Sequence, residues 1–417
     1  MTTHADSPVR PGGDWRLLAG ASLVLAFSAV GFLVQTFGVF SAAIEHEFGW
    51  SRTETYGVLT IATLLSPVLI PVTGWAADRL NLRALVITAL IVEVVSLLAV
   101  GLLPVGRIGF AVGFLVTYAA SFGASAVPLA KAVGAAFSER HGAALGMLFA
   151  GACLGAIANP LIAGALIGAI GWQGAFAALG VQTAVLAALP ALLFIRPAHT
   201  GVSSPTGTTR PAGWGTLFRS RTLYAILGWG FFAALGYGGI QGHLVPLLEE
   251  RTHTAAEAVM GQSLLGVGLL VGNLAAGLLL DRIPTRPLAS LMLAIPVTAL
   301  LALALLPPGP SDIVITTGIG VATGTETAML AFVVSHYLPS AVNGRALSVG
   351  MVAVALGGGV STLLGAVTHD TTGDYRLFLL LCAAFLAVAA AWPWGLREQA
   401  AEARPLAAPA PAGEAVS

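Results

Sequence analysis

Glu326 lies in the middle of a long apolar run and is the residue of this sequence whose position most clearly suggests chemistry. It follows Asp312 by 14 residues, or roughly 21 Å along a helix. An ionisable side chain at the centre of a membrane costs at least about 2.5 kcal/mol, so its presence there indicates a function. A carboxyl that alternates between water and apolar surroundings can bind and release a proton. We expect Glu326 to bind a proton or a solute, and a structural hydrogen bond to a neighbouring helix is the alternative.

Other polar side chains interrupt apolar runs in the same way. His243 could change its charge between about pH 5 and pH 8, as proton coupling requires, although a hydrogen-bonded interface histidine fits equally well. Lys131 is the single lysine and could either attract an anion or extend its amine to the membrane surface. Glu93 is also central, and we assign it a structural role. The remaining candidates for solute contact are uncharged, and they are Gln35, Tyr118, Asn159, Tyr237, Gln241 and Asn273.

Motifs for metal, cofactor and nucleic-acid chemistry are missing from this pattern. Cys153 and Cys382 stand alone in apolar runs, without the spacing of a metal site or a disulfide framework. The net charge is zero, which gives no basic patch for nucleic acid. We find no paired carboxylates, HExxH motif or Ser/His arrangement in the apolar runs. The sequence therefore predicts neither an enzyme nor a cofactor.

The composition requires these residues to be held by membrane helices. Of 417 residues, 57% are hydrophobic and 9% are charged, whereas soluble domains have about 25% charged residues. A helix of about 20 apolar residues crosses a hydrocarbon core of about 30 Å. Twelve runs meet this criterion, and they predict an all-α membrane protein with helices near 17–40, 54–77, 84–102, 108–131, 143–169, 174–195, 222–248, 258–280, 287–306, 312–337, 345–368 and 375–396.

The arginines predict the orientation of these helices. With the N-terminus inside, fourteen arginines fall in cytoplasmic segments and four in outer loops, as the positive-inside rule expects. Both termini are then cytoplasmic, in a multi-pass protein of the cell inner membrane. The polar segment 196–221 is the expected cytoplasmic linker between six-helix bundles at 17–195 and 222–396. Residues 1–16 form a cytoplasmic tail, and 397–417 are expected to be disordered.

This orientation gives a first prediction. In a background without Cys153 and Cys382, a single cysteine at Ser204 should react with a thiol reagent only from the cytoplasm, and one at Thr254 only from outside. Membrane-impermeant maleimide applied to intact cells and to inverted vesicles measures both positions. The reverse pattern at both positions would overturn the orientation.

The two predicted bundles repeat each other. Gly74, Asp78, Arg79 and Arg83 recur as Gly277, Asp281, Arg282 and Arg286, each 203 residues later. Gly171-Trp172-Gln173 and Asp374-Tyr375-Arg376 precede the last helix of each half at the same offset. A repeated offset indicates internal duplication, which transporters use to build alternating access around a central site.

At these residues the chain resembles the major facilitator superfamily. Gly74, Asp78, Arg79 and Arg83 match its loop motif G-x-L-a-D-R-x-G-R-[RK], while Ala76, Asn81 and Leu82 depart from it. The resemblance implies a twelve-helix transporter with a conformational gate. In this gate, Asp78 faces the start of helix eleven near Gly344, and Asp281 faces the start of helix five near Gly142. A carboxylate in such a place interacts favourably with the helix dipole. The alternative is that these residues only anchor helix ends.

A narrower resemblance is to the bacterial monocarboxylate and oxalate/formate branch. It is carried by the segments 45–52, 140–151, 243–248 and 324–337, the first of which contains Phe48-Gly49-Trp50-Ser51-Arg52. Two departures affect the solute. Asn273 and Leu269 stand where the branch has an arginine and an aspartate, and residues 346–367 contain no lysine.

We therefore expect a proton-coupled carrier of a small organic solute, most simply an organic anion such as a carboxylate, that works as a monomer in the lipid bilayer. An exporter of drugs or hydrophobic metabolites is the alternative within transport, because few charges face the expected cavity. The Gly-Pro signature of drug antiporters is absent, since Ala156 follows Gly155. A membrane sensor or receptor without transport is the alternative of another class.

Overall fold

The protein is mostly helical in the residues that its computed structural model describes, which are 14–137, 141–195, 221–279, 282–283, 285–337 and 343–392. In the N-terminal segment, residues 14–195, the helices are α1 Trp15–Phe27, α2 Ala29–Phe48, α3 Arg52–Arg79, α4 Leu82–Leu102, α5 Arg107–Ser121, α6 Ala126–Ala136, α7 His141–Gln182 and α8 Leu189–Phe194. In the C-terminal segment, residues 221–392, they are α9 Arg221–Glu250, α10 Ala255–Leu279, α11 Thr285–Leu305, α12 Ser311–Tyr337, α13 Asn343–Thr372 and α14 Arg376–Ala391. Almost all of the predicted linker and tails lies outside these residues.

Nine helical stretches among the described residues are long and apolar enough to cross a membrane. One of them, Gly142–Phe194, has 53 residues and contains two predicted spans. It bends at Gly171, whose positive φ of 73° interrupts the helix. Each of the twelve predicted spans is mostly helical where it is described, with interruptions in the first and the fourth. The number of crossings and the side of each terminus stay predictions.

The first predicted span, 17–40, is wrong in one respect, because it is broken rather than continuous. Ser28 separates α1 from α2 and has an extended backbone, with ψ of 165°. A break inside a membrane leaves backbone groups unpaired unless side chains satisfy them. Here the Glu93 carboxylate accepts from the amide of Ala29 at 2.7 Å, and Asn159 and Thr183 donate to the carbonyls of Ala26 and Phe27 at 2.8 and 3.1 Å. In this conformation Glu93 supports the break in the first span through Oε2, while its Oε1 is buried without a partner.

The fourth predicted span, 108–131, is also interrupted. A single 3₁₀ turn, Phe122–Ala124, separates α5 from α6, and Ser125 is extended. Gly123 lies against Ala89 of α4, where an added Cβ would stand 2.7 Å from the Ala89 Cβ. The close approach of α4 explains why a residue without a side chain occupies this turn.

Apolar side chains form a separate core in each segment. One cluster is built from buried residues between Leu223 and Ala389, and two others come almost entirely from residues 17–195. Small residues let the segments approach each other: Gly38 of α2 lies against Gly242 of α9, and Gly359 of α13 lies against Leu64 of α3. A third contact joins α7 and α10 at Ala156 and Gly266. Such close approaches are typical of helix packing in membranes.

Candidate functional site

Glu326 lies in a narrow crevice inside the C-terminal segment, between α9, α11 and α12. In this conformation the crevice is too narrow to hold a water molecule, and it is lined by Trp229, Ala233, Tyr237, Ala289, Met292, Leu293, Ala322, Thr325, Glu326 and Met329. Glu326 itself is 8% exposed. Its surroundings are therefore apolar and aromatic, which is a costly environment for a carboxylate that has lost its water.

Three polar atoms of this crevice are buried without a hydrogen-bond partner. They are Oε1 of Glu326, the hydroxyl of Tyr237 and Nε1 of Trp229. Buried polar groups normally find partners, so unpaired ones require an explanation. Thr325 is not a partner, because its hydroxyl donates to the carbonyls of Val321 and Ala322 in its own helix. The arrangement can hold a proton on Glu326, and it offers N–H and O–H donors to a molecule that enters.

One amide pair joins the two segments, and a second amide forms a hydrogen bond within the C-terminal segment. Gln262 of α10 donates from Nε2 to Oε1 of Gln35 in α2 at 3.2 Å, while Oε1 of Gln262 is buried without a partner. Gln241 of α9 donates to the hydroxyl of Thr323 at 3.3 Å. Gln262 was not predicted, although it is a glutamine within an apolar helix, as Gln35 and Gln241 are.

Three other predicted solute contacts have protein partners. The hydroxyls of Tyr118 and Ser66 lie 2.9 Å apart. Asn159 donates to the Ala26 carbonyl at the break in the first span and accepts from Gln182 at 3.0 Å. Asn273 lies close to the thiol of Cys153, across the segments. In this conformation these groups stabilise helix packing, so their contact with a solute stays a prediction.

The predicted gate residues lie at the end of the molecule where α3 ends and α4 begins. Asp78 pairs with Lys131 of α6, and both side chains are exposed, by 65% and 43%. Arg83 donates to the carbonyl of Leu192 at 2.9 Å, and Arg79 lies over the ring of Trp75 at 5.5 Å. Lys131 thus reaches toward the end of α3, and both predicted roles for it, anion attraction and contact with the membrane surface, stay predictions. Its partner was not predicted, because the two residues are 53 positions apart.

The second copy of the gate is described only in part. Arg282 is exposed, while Asp281 and the side chain of Arg286 lie outside what the structure describes, as do the surroundings of Gly344. Gly74 has open space around it, with no atom within 4 Å of an added Cβ. The approach of Asp78 to the start of α13 therefore stays a prediction, and in this conformation the carboxylate is bound to Lys131.

His243 lies near the opposite end of the bundle and is fully buried. Its Nδ1 is 3.0 Å from the hydroxyl of Tyr375, and its Nε2 is 2.9 Å from the carbonyl of Thr362. The ring stacks on Tyr56 of the N-terminal segment, with centroids 3.7 Å apart. Both nitrogens are occupied by protein groups, so His243 is far better placed to join the segments here than to contact a solute.

Comparison with known proteins decides the family. The model of the Major Facilitator Superfamily matches residues 22–362, which is most of the chain. The chain belongs to the major facilitator superfamily. This confirms the wider resemblance predicted from the loop motif, and it makes the protein a multi-pass membrane transporter. The narrower branch stays a prediction, and a search of curated proteins finds no match for this transporter.

Solved structures agree with the fold of this transporter. Two structures of a bacterial homologue of the human lysosomal transporter Spinster, in the inward-facing conformation, are similar to it. The unoccupied form has a TM-score of 0.69 at 18% identity and covers 92% of this chain and 96% of its own. The occupied form has a TM-score of 0.67 at 18% identity and covers 91% and 95%. At this identity the likeness concerns the fold alone.

Proposed function

We propose that this transporter moves a small organic solute together with protons, and that Glu326 is the residue that binds the proton. The observation that carries the proposal is its buried, unpaired carboxyl oxygen in a crevice with the unpaired Tyr237 hydroxyl and Trp229 N–H. A carboxylate that stays ionised there, without a partner, would be strongly unfavourable. Binding a proton removes that penalty, and contact with water on one side of the membrane allows its release.

An organic anion is the solute that we favour, on grounds of charge balance. Arg52 is bound to Glu45 and Lys131 to Asp78, so these two cations already have carboxylate partners. An anion that entered near Glu326 without a cation would itself be unfavourable. When Glu326 is protonated, its O–H can donate to the carboxylate of the solute, and the proton and the anion together add no net charge. This is symport of an organic acid with its proton.

The exporter of hydrophobic compounds remains the second candidate. Most of the crevice is formed by alanine, leucine, methionine and aromatic side chains, which would suit an apolar molecule. Proton antiport would then reset Glu326 after release of the compound. The orientation, the twelve spans, the two bundles and the monomeric state predicted from the sequence are part of the same proposal.

The two candidates are separated by a binding screen followed by transport. Purified protein is screened by thermal shift against organic acids, amines and drugs, because a ligand of the folded state raises the melting temperature. Each hit is then added outside proteoliposomes that contain a pH-sensitive dye. Symport of an organic acid should acidify the lumen beyond the change seen in protein-free liposomes. Uptake of a drug that makes the lumen more alkaline, because protons leave in exchange, would favour the exporter. Transport without proton movement would refute proton coupling altogether.

A further inference from the structure

A continuous chain of hydrogen bonds links the two segments at the end opposite to the Asp78 gate. Arg52, at the start of α3, donates from Nη1 to the hydroxyl of Tyr375 at 2.9 Å. The Tyr375 hydroxyl is 3.0 Å from Nδ1 of His243, and Nε2 of His243 is 2.9 Å from the Thr362 carbonyl. Tyr375, His243 and Thr362 are buried. The chain therefore runs from the N-terminal segment through α14 and α9 to α13.

The donors and acceptors of this chain can be assigned from chemistry. The Thr362 carbonyl only accepts, so Nε2 of His243 must carry a hydrogen. In the neutral ring Nδ1 is then an acceptor, and the Tyr375 hydroxyl must donate to it. The tyrosine oxygen is left to accept from Arg52, which has donors only. Because both ends are fixed, the neutral chain has a single direction, and Tyr375 and His243 in it each accept one hydrogen bond and donate another.

Neighbouring groups hold each member of the chain in place. Glu45 binds the Arg52 guanidinium through two oxygens, at 3.2 and 3.3 Å. The guanidinium carbon also lies over the Tyr375 ring, 5.6 Å from its centroid. On the other side, the Tyr56 ring stacks on His243, and its hydroxyl donates to the Gly242 carbonyl at 2.8 Å. A bidentate carboxylate fixes the plane of a guanidinium as well as its position.

A second bond between the segments lies beside the chain. The amide of Thr53, in the first turn of α3, donates to the Asp370 carboxylate near the end of α13 at 2.8 Å. The first turn of α3 thus contacts both α13 and α14. The sharp reversal before it is made by Gly49, which has a positive φ of 59°, and by the capping box of Ser51 with Glu54. These local features place Arg52 and Thr53 toward the C-terminal segment.

We propose that Arg52, Tyr375 and His243 form a latch that holds this end of the transporter closed. Tyr375 is the positioning residue, because its hydroxyl is hydrogen-bonded both to Arg52 of the N-terminal segment and to His243 of the C-terminal segment. Opening this end must separate α3 from α13 and α14, and so must break the bonds of Arg52 and Thr53 together. The released groups lie at helix ends, where water can replace their partners. The latch can therefore open and close within each transport cycle. It does not depend on whether protons drive transport.

The latch is tested by measuring the distance across this end. In a background without Cys153 and Cys382, spin labels are placed at Glu47 and Thr372, which are exposed on opposite segments. Pulsed electron paramagnetic resonance in lipid nanodiscs then gives the distance distribution. Tyr375→Phe keeps the ring but removes the hydroxyl that bonds Arg52 and His243. It should increase the ratio of long to short distances between the two labels roughly tenfold, as expected when a hydrogen bond to a charged group is lost. Arg52→Gln should do the same.

Two further variants test the direction of the chain. His243→Asn keeps a carbonyl acceptor close to the position of Nδ1 and should stay near the wild-type distribution, whereas His243→Leu should behave like Tyr375→Phe. Thr371→Val is the matched control, because its hydroxyl bonds only within its own helix, to the carbonyls of Val367 and Thr368. If both Tyr375→Phe and Arg52→Gln leave the distances unchanged in protein that melts at the wild-type temperature, the latch is refuted.

Discussion

Glu326→Gln is expected to abolish accumulation of the solute driven by a pH gradient while preserving solute binding and downhill exchange. Glutamine has nearly the size of glutamate and can occupy the same crevice, but it cannot bind and release a proton. Exchange of bound solute needs no net proton movement and should continue. Accumulation in proteoliposomes, with an acidic exterior and an alkaline lumen, measures the first effect, and counterflow of labelled solute measures the second.

Glu93→Gln is the matched control, because it removes the other buried glutamate of the described bundle. Its amide carbonyl can still accept from Ala29, so transport should stay within about twofold of wild type, as expected when a hydrogen bond is retained. Tyr237→Phe, next to Glu326, should lower accumulation in part. Accumulation by Glu326→Gln at the wild-type level would assign proton coupling to another residue.

Asp78→Asn is expected to slow transport by an order of magnitude or more while leaving the amount of protein in the membrane close to normal. Asp78 is bound to Lys131 here, and we predict that it faces the start of α13 in the alternative conformation. A carboxylate at a helix start contributes up to about 2 kcal/mol in favourable geometry, which corresponds to roughly thirtyfold in an equilibrium. Initial rates, divided by the amount of reconstituted protein, give the effect.

Lys131→Met should have a much smaller effect, since an exposed ion pair contributes about 1 kcal/mol at most. Glu257→Gln removes an exposed carboxylate at the start of α10, away from the gate, and should transport normally. Equal rates for Asp78→Asn and wild type would reduce Asp78 to an anchor of its helix end.

The sequence predicted those parts of the fold that depend on local composition. Apolar runs located the helices, and the duplicated Gly74 to Arg83 motif led to the superfamily. The break at Ser28 was not predicted, because neither proline nor glycine occupies that position. Its cause lies in Glu93, Asn159 and Thr183, which are 64 to 156 residues away along the chain. Long-range hydrogen bonds of this kind leave no local pattern.

The same limit applies to the site. Glu326 could be predicted because a charged residue inside an apolar run stands out in any short stretch of sequence. The two helices that pack against it, α9 and α11, could not be predicted in this way. Tyr375 and Arg52 each stood in a segment noted for its repeat or its resemblance, yet they are 323 residues apart. From its residue type alone, His243 was predicted to take part in proton chemistry. In the structure its ring stacks on Tyr56, and its Nδ1 lies within hydrogen-bond distance of the Tyr375 hydroxyl.

The break at Ser28 also bears on the order in which the protein is assembled during synthesis. Glu93, Asn159 and Thr183, which satisfy the backbone there, are all translated after the first span has left the ribosome. An unpaired backbone group in hydrocarbon costs several kcal/mol, so we expect the nascent first span to enter the bilayer as an unbroken helix. Its bend would form only when the sixth predicted span brings Thr183 into place. The segment made first would then be among the last to reach its final shape.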